Sequence, residues 1–169
     1  FAPDGSTLLF LRGVSPPYSL QRVSSVGGEP RRLSDGVSSS AAWSPDGRRI
    51  ALTRSSTVSG LPDILVTLAA DGSAERELAR TTDVNLVFLR WSPDGRAIGS
   101  WAQLRTNFAA QQSIVEFDAE SGARRTIYQP AGGVLLNGWA WTGNDSILVS
   151  ESVTQSGRGG SRLLRIERR

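Results

Sequence analysis

Carboxylates and hydroxyls are the side chains of this sequence whose recurrence could support chemistry. Asp4, Asp46 and Asp94 each stand inside a Pro-Asp-Gly step with a serine beside it: Ser6, Ser44 or Ser92. A ring of such carboxylates could hold a divalent cation or work as general acid and base. Asp in a tight turn, however, bonds its own nearby backbone, and the intervening sequence holds the three apart, so turn chemistry is the expected role. Serines are abundant, yet there is no His to activate one and no G-x-S-x-G elbow to present it. The absence of Cys removes thiol nucleophiles, disulfides and the usual zinc sites. The sequence therefore reads as non-enzymatic, with no catalytic residue, metal or cofactor expected.

The 19 basic residues are all Arg, and the net charge is only +3. The pairs Arg31-Arg32, Arg48-Arg49, Arg124-Arg125 and Arg168-Arg169 raise nucleic acid as a partner. They are interleaved with Glu29, Glu75, Glu77 and Glu167, and on strands each pair would split between two faces. Charged strand edges that discourage aggregation are the better reading, and no nucleic-acid partner is expected. No apolar run of about 18 residues exists to cross a membrane. No leader is visible either, although the chain opens in the middle of a repeat.

That repeat is what positions the aspartates. W-S-P-D-G-R-R-I at Trp43 to Ile50 recurs at Trp91 to Ile98, as F-A-P-D-G-S-T-L at Phe1 to Leu8, and in a worn copy from Trp141. Pro3, Pro45 and Pro93 preset φ at the second place of a turn, and Gly5, Gly47 and Gly95 supply the left-handed residue that closes a hairpin. The third residue past the Gly is aliphatic: Leu8, Ile50, Ile98, and Leu148 in the worn copy, where Gly143-Asn144-Asp145 makes a different turn. Period-2 runs such as Ile64, Val66 and Leu68 complete each unit, with Asp71-Gly72 and Ser121-Gly122 as second hairpin turns.

These signals predict an all-β chain of about four four-stranded antiparallel meanders, over residues 1–37, 38–85, 86–135 and 136–169. A period of about 42 to 50 residues with four strands each is the signature of β-propeller blades. Helical repeats are disfavoured because no segment carries an i, i+3, i+4 apolar stripe. A sandwich would not place one turn at a fixed point of each repeat. The first unit lacks its leading strand and the last its closing one, which predicts an incomplete ring with open edges prone to self-association. Trp43, Trp91 and Trp141 recur at one repeat position and are expected to pack between blades, while Trp101 and Trp139 fall outside that register and are expected in the core.

The W-S-P-D-G-x-x-I pattern, followed by G-G-E-P-R-R-L at Gly27 to Leu33, resembles the WD-like propeller repeat of TolB and its relatives. The resemblance implies that the SPDG turn joins the innermost strand of a blade to the second. It implies a protein or peptide partner and a periplasmic or extracellular setting. Similar repeats also occur in the gating propellers of prolyl-oligopeptidase-like serine peptidases and in sensor regions of receptor-like kinases and transcription regulators.

In such meanders the short PDG turns share one face. The connections Gly13 to Pro17, Ser55 to Pro62, Leu104 to Gln111 and Ser152 to Ser161 share the other, and variable loops are where binding usually resides. Arg105, Phe108 and Arg158 are the candidate partner-binding residues there.

Overall fold

The computed structural model describes residues 1–55, 62–105, 112–155 and 158–168. Within them are fourteen β-strands and no helix. They form four antiparallel meanders. The first sheet holds β1 (Thr7–Arg12), β2 (Tyr18–Ser24) and β3 (Arg31–Val37). The second runs β4 (Ala41–Trp43), β5 (Arg49–Ser55), β6 (Asp63–Ala69) and β7 (Arg76–Thr81). The third runs β8 (Val84–Trp91), β9 (Ala97–Leu104), β10 (Gln112–Asp118) and β11 (Arg124–Tyr128). The fourth holds β12 (Leu135–Trp141), β13 (Ser146–Gln155) and β14 (Arg158–Glu167). This is the all-β, incomplete propeller that the repeat predicts.

The SPDG turn folds by the chemistry of its own residues. In the second sheet Gly47 N–H closes onto the Ser44 carbonyl at 2.9 Å with φ 69° at Gly47. The Ser44 hydroxyl donates to Asp46 Oδ1 at 2.6 Å and accepts from Arg49 N–H at 2.8 Å, while Arg48 N–H reaches the same carboxylate at 3.1 Å. The third sheet repeats this network with Ser92, Asp94, Arg96 and Ala97. Ala2 replaces the serine in the first copy, so Asp4 turns instead to Ser6. All three carboxylates are thus occupied by their own turns.

Those bonds set a pH dependence. The Ser44 hydroxyl and Arg48 N–H hold the Asp46 carboxyl below its ordinary value of 3.8. At Asp94 burial opposes ionisation, but the bonds from Ser92 and Arg96 prevail and the shift is again downward. A carboxyl depressed in the folded state stabilises it above the unfolded value, and that contribution is lost as pH falls through the folded one. Stability measured by urea unfolding should therefore be level through neutral pH and fall once pH drops below about 4. An Asp46→Asn, Asp94→Asn double variant should show a shallower fall.

The core lies between sheets. One cluster joins Leu20 and Val37 to Ile50, Leu52, Val66 and Leu68, across sheets one and two. A second joins Ala51 and Leu65 to Leu86, Ile98, Val115 and Phe117, across sheets two and three. A third joins Trp101 and Ile114 to Leu136, Trp139, Ile147 and Val149, across sheets three and four. Each unit buries its face only by stacking on a neighbour, the behaviour of repeat architectures.

The expected tryptophan contacts have a specific form. Trp91 Nε1–H donates to the Ala42 carbonyl at 3.1 Å, and Trp141 Nε1–H donates to the Arg90 carbonyl at 3.2 Å. Each indole therefore ties its strand to the residue preceding the aromatic of the sheet before. Trp101 and Trp139 are buried. Gly99 is the small partner that admits Trp139 and Trp141, since a Cβ there would lie 2.4 Å from Trp139 Cη2 and 3.1 Å from Trp141 Cζ2.

Two expectations are corrected. The residue opposite Trp141 is Ile147, fully buried, and not Leu148. Thr142 N–H bonds the Ser146 carbonyl where Ser44 N–H bonds that of Arg49, so the worn turn is one residue shorter. The span Ser152 to Ser161, expected as a loop, is mostly strand: β13 and β14 stay paired out to Gln155 and Arg158. Val153 and Thr154 favour an extended chain, and Gly159 and Gly160 serve as their partners.

Candidate functional site

Of the three candidate residues, Phe108 lies outside the described residues. Arg158 begins β14 and pairs with Gln155. Arg105 follows β9, and its Nη2 binds Asp63 Oδ1 at 2.7 Å. Asp63 opens β6 with its side chain 2% exposed, and its other oxygen accepts Leu86 N–H at 2.9 Å. Gln112 occupies the same place at the start of β10 and accepts Leu136 N–H at 2.9 Å. The first residue of a third strand thus clamps the innermost strand of the following sheet, and Arg105 is held to that clamp.

Several of the paired arginines are likewise engaged. Arg49 lies over Trp91, 4.7 Å from the ring centroid. Arg124 is bidentate to Asp83 at 2.8 Å on both arms, Arg125 pairs with Glu116, and Arg168 lies 5.4 Å from the Trp141 ring. The buried Glu151 accepts from Tyr128 and from Arg162 Nε at 2.6 Å, bracing β13 from both sides. Burial, with the Glu151 carboxylate beside it, pushes the Tyr128 phenol up to about 12.

The innermost strands carry surface that is not committed to such bracing. β8 carries a bulge, Val87 pairing with Trp101 and Arg90 with Gly99, so two residues of β8 face one of β9. Phe88 stands in that bulge at φ 53° and is 57% exposed. A left-handed bulky residue costs on the order of 1–3 kcal/mol, and such outliers gather at functional sites. Its ring lies 5.6 Å from that of Trp101. Two residues on, exposed Arg90 lies 5.9 Å from the Trp139 ring and is the sole charged residue of β4, β8 and β12. No carboxylate pairs with it among the described residues. On β12, Leu135 and Asn137 are exposed.

Sequence reasoning missed Phe88 and Arg90. A signal was present: the residue three before the motif aromatic is Ser40 in the second repeat, Gly138 in the fourth and Phe88 in the third. The positive φ has no sequence signature at a Phe.

No family model matches the chain, and no curated protein matches it in sequence. Solved structures do. TolB from Acinetobacter baumannii superposes with a TM-score of 0.72 at 13% identity, covering 98% of this chain and 39% of that one. The β-propeller domain of the Trilobed protease from Pyrococcus furiosus gives 0.70 at 14% identity, covering 96% and 52%. A prolyl endopeptidase gives 0.68 at 16% identity, covering 97% and 25%. The chain spans well under two thirds of these relatives, and the likeness is one of fold: a β-propeller domain.

Proposed function

We propose that this β-propeller segment is a non-catalytic binding module that takes a protein or peptide partner on its innermost strands. The observation that carries this reading is Phe88, an exposed aromatic held at positive φ two residues from an exposed arginine that pairs with no carboxylate among the described residues. An aromatic anchor beside a guanidinium suits an extended peptide with an apolar side chain next to a carboxylate. Arg105, which follows β9, and Arg158, the first residue of β14, are proposed to add contacts, together with Phe108, which lies outside the described residues. The likeness to TolB supports the reading by fold.

Panning a displayed library of random peptides against the chain tests it. Enriched peptides should carry a carboxylate beside an apolar residue, and Phe88→Asn and Arg90→Gln should each weaken them by about tenfold or more. Enriched peptides that bind both variants as well as the parent would refute the proposal. Phe88→Asn should also leave stability unchanged or raise it by up to about 1 kcal/mol in urea unfolding, because Asn tolerates the left-handed region.

A second reading makes the segment part of the gating propeller of a prolyl-oligopeptidase-like serine peptidase, and the likeness to a prolyl endopeptidase favours it. The nucleophile and its base would then belong to another domain, because this sequence has no His. A G-x-S-x-G elbow encoded in the same natural gene would support that reading.

A further inference from the structure

Extended peptides commonly join a protein by adding a strand at a free sheet edge, where main-chain groups supply the bonds. β8 pairs only with β9 in its sheet, so its other edge carries no strand. That edge is nevertheless occupied on either side of Phe88. Leu86 N–H donates to Asp63 Oδ2 at 2.9 Å and the Leu86 carbonyl accepts the Ser39 hydroxyl at 2.9 Å, while Leu89 N–H donates to Ser40 Oγ at 3.2 Å. Nearer the start of the strand, the Val84 carbonyl accepts the Thr81 hydroxyl at 3.0 Å. All four caps come from the second repeat.

The caps are themselves held in place. Ser39 Oγ lies 2.8 Å from Oγ1 of the fully buried Thr53, which accepts the Ser38 hydroxyl at 3.0 Å, and Asp63 also binds Arg105. A strand adding here would have to displace these groups and leave them unpaired, so each bond it gained would be offset by one it broke. The bulge acts in the same direction, because the extra residue interrupts the ladder and twists the edge away. On β12, Leu136 N–H is likewise taken, by Gln112 Oε1 at 2.9 Å. What these strands offer outward is side chain: Phe88 and Arg90 on β8, Leu135 and Asn137 on β12.

We propose that the Phe88–Arg90 site reads its partner through side chains alone, an inference that rests on the reading of that site as the place where a partner binds. The feature recognised is an apolar group and a carboxylate carried side by side on a protein partner, with no main-chain bond to β8 or β12. The apolar group seats against the Phe88 ring and the carboxylate meets the Arg90 guanidinium. A helical turn presents two such side chains as neighbours, as a loop or a strand does, so the partner is defined by the pair and not by an extended backbone.

The test takes the tightest peptide enriched by panning and resynthesises it with each main-chain amide in turn replaced by an ester, which removes one N–H without adding bulk. Binding to the whole chain, read by fluorescence anisotropy, should change by less than about threefold at every position. Replacing the peptide's carboxylate by an amide, or its apolar residue by Ala, should weaken binding about tenfold or more. Losses of tenfold at every second ester, with Phe88→Asn and Arg90→Gln still weakening the parent peptide, would overturn side-chain recognition and leave the site where it is. A peptide indifferent to both substitutions in the chain would refute the site, and this proposal with it.

Discussion

An Asp63→Ala variant should unfold about 3 kcal/mol more easily than the parent, read from urea denaturation. Its carboxylate serves two groups at once, the Leu86 N–H of the next sheet and the Arg105 guanidinium, and is almost wholly buried. Removing one partner of a buried pair costs about 3–5 kcal/mol because the other is left uncompensated, and the one-fifth exposure of Arg105 moderates that cost. Asp63→Asn keeps an acceptor for Leu86 and should lose less. Equal losses in the two variants would mean that charge, and not the backbone bond, dominates the clamp.

Phe117→Ala should cost about 3–5 kcal/mol, the range for deleting a buried aromatic ring. Phe117 is fully buried in the cluster joining the second and third sheets, opposite Ile98. Because that cluster lies between units, the loss should loosen sheet on sheet. Amide exchange should accelerate in both β5–β6 and β9–β10, since each unit relies on its neighbour. Acceleration confined to the third sheet would argue against a core shared in this way.

Turn chemistry made the fold legible. Pro-Asp-Gly presets both dihedrals and bonds, so the position of each hairpin could be read without knowledge of its surroundings. The recurring aromatics announced inter-blade packing, although the acceptors of their N–H groups are backbone carbonyls, which no side-chain pattern reveals. The worn copy misled because an alignment on Trp141 counts residues, and a turn one residue shorter moves burial from Leu148 to Ile147. The span from Ser152 to Ser161 misled because glycine reads as loop, yet Gly159 and Gly160 sit across from Thr154 and Val153 in a hairpin. Arg105 stood out as a loop arginine, and its tie to Asp63 depends on residues far apart in sequence. Phe88 escaped notice because its significance lies in a backbone angle.

A partner seated on the innermost strands must shield their amides from solvent. Amide hydrogen exchange of the whole chain, with and without a peptide selected from the library, tests it most directly. New protection should fall on residues 85–90 of β8 and 135–138 of β12. Protection confined to the outer strands β3, β7 and β11 would contradict it.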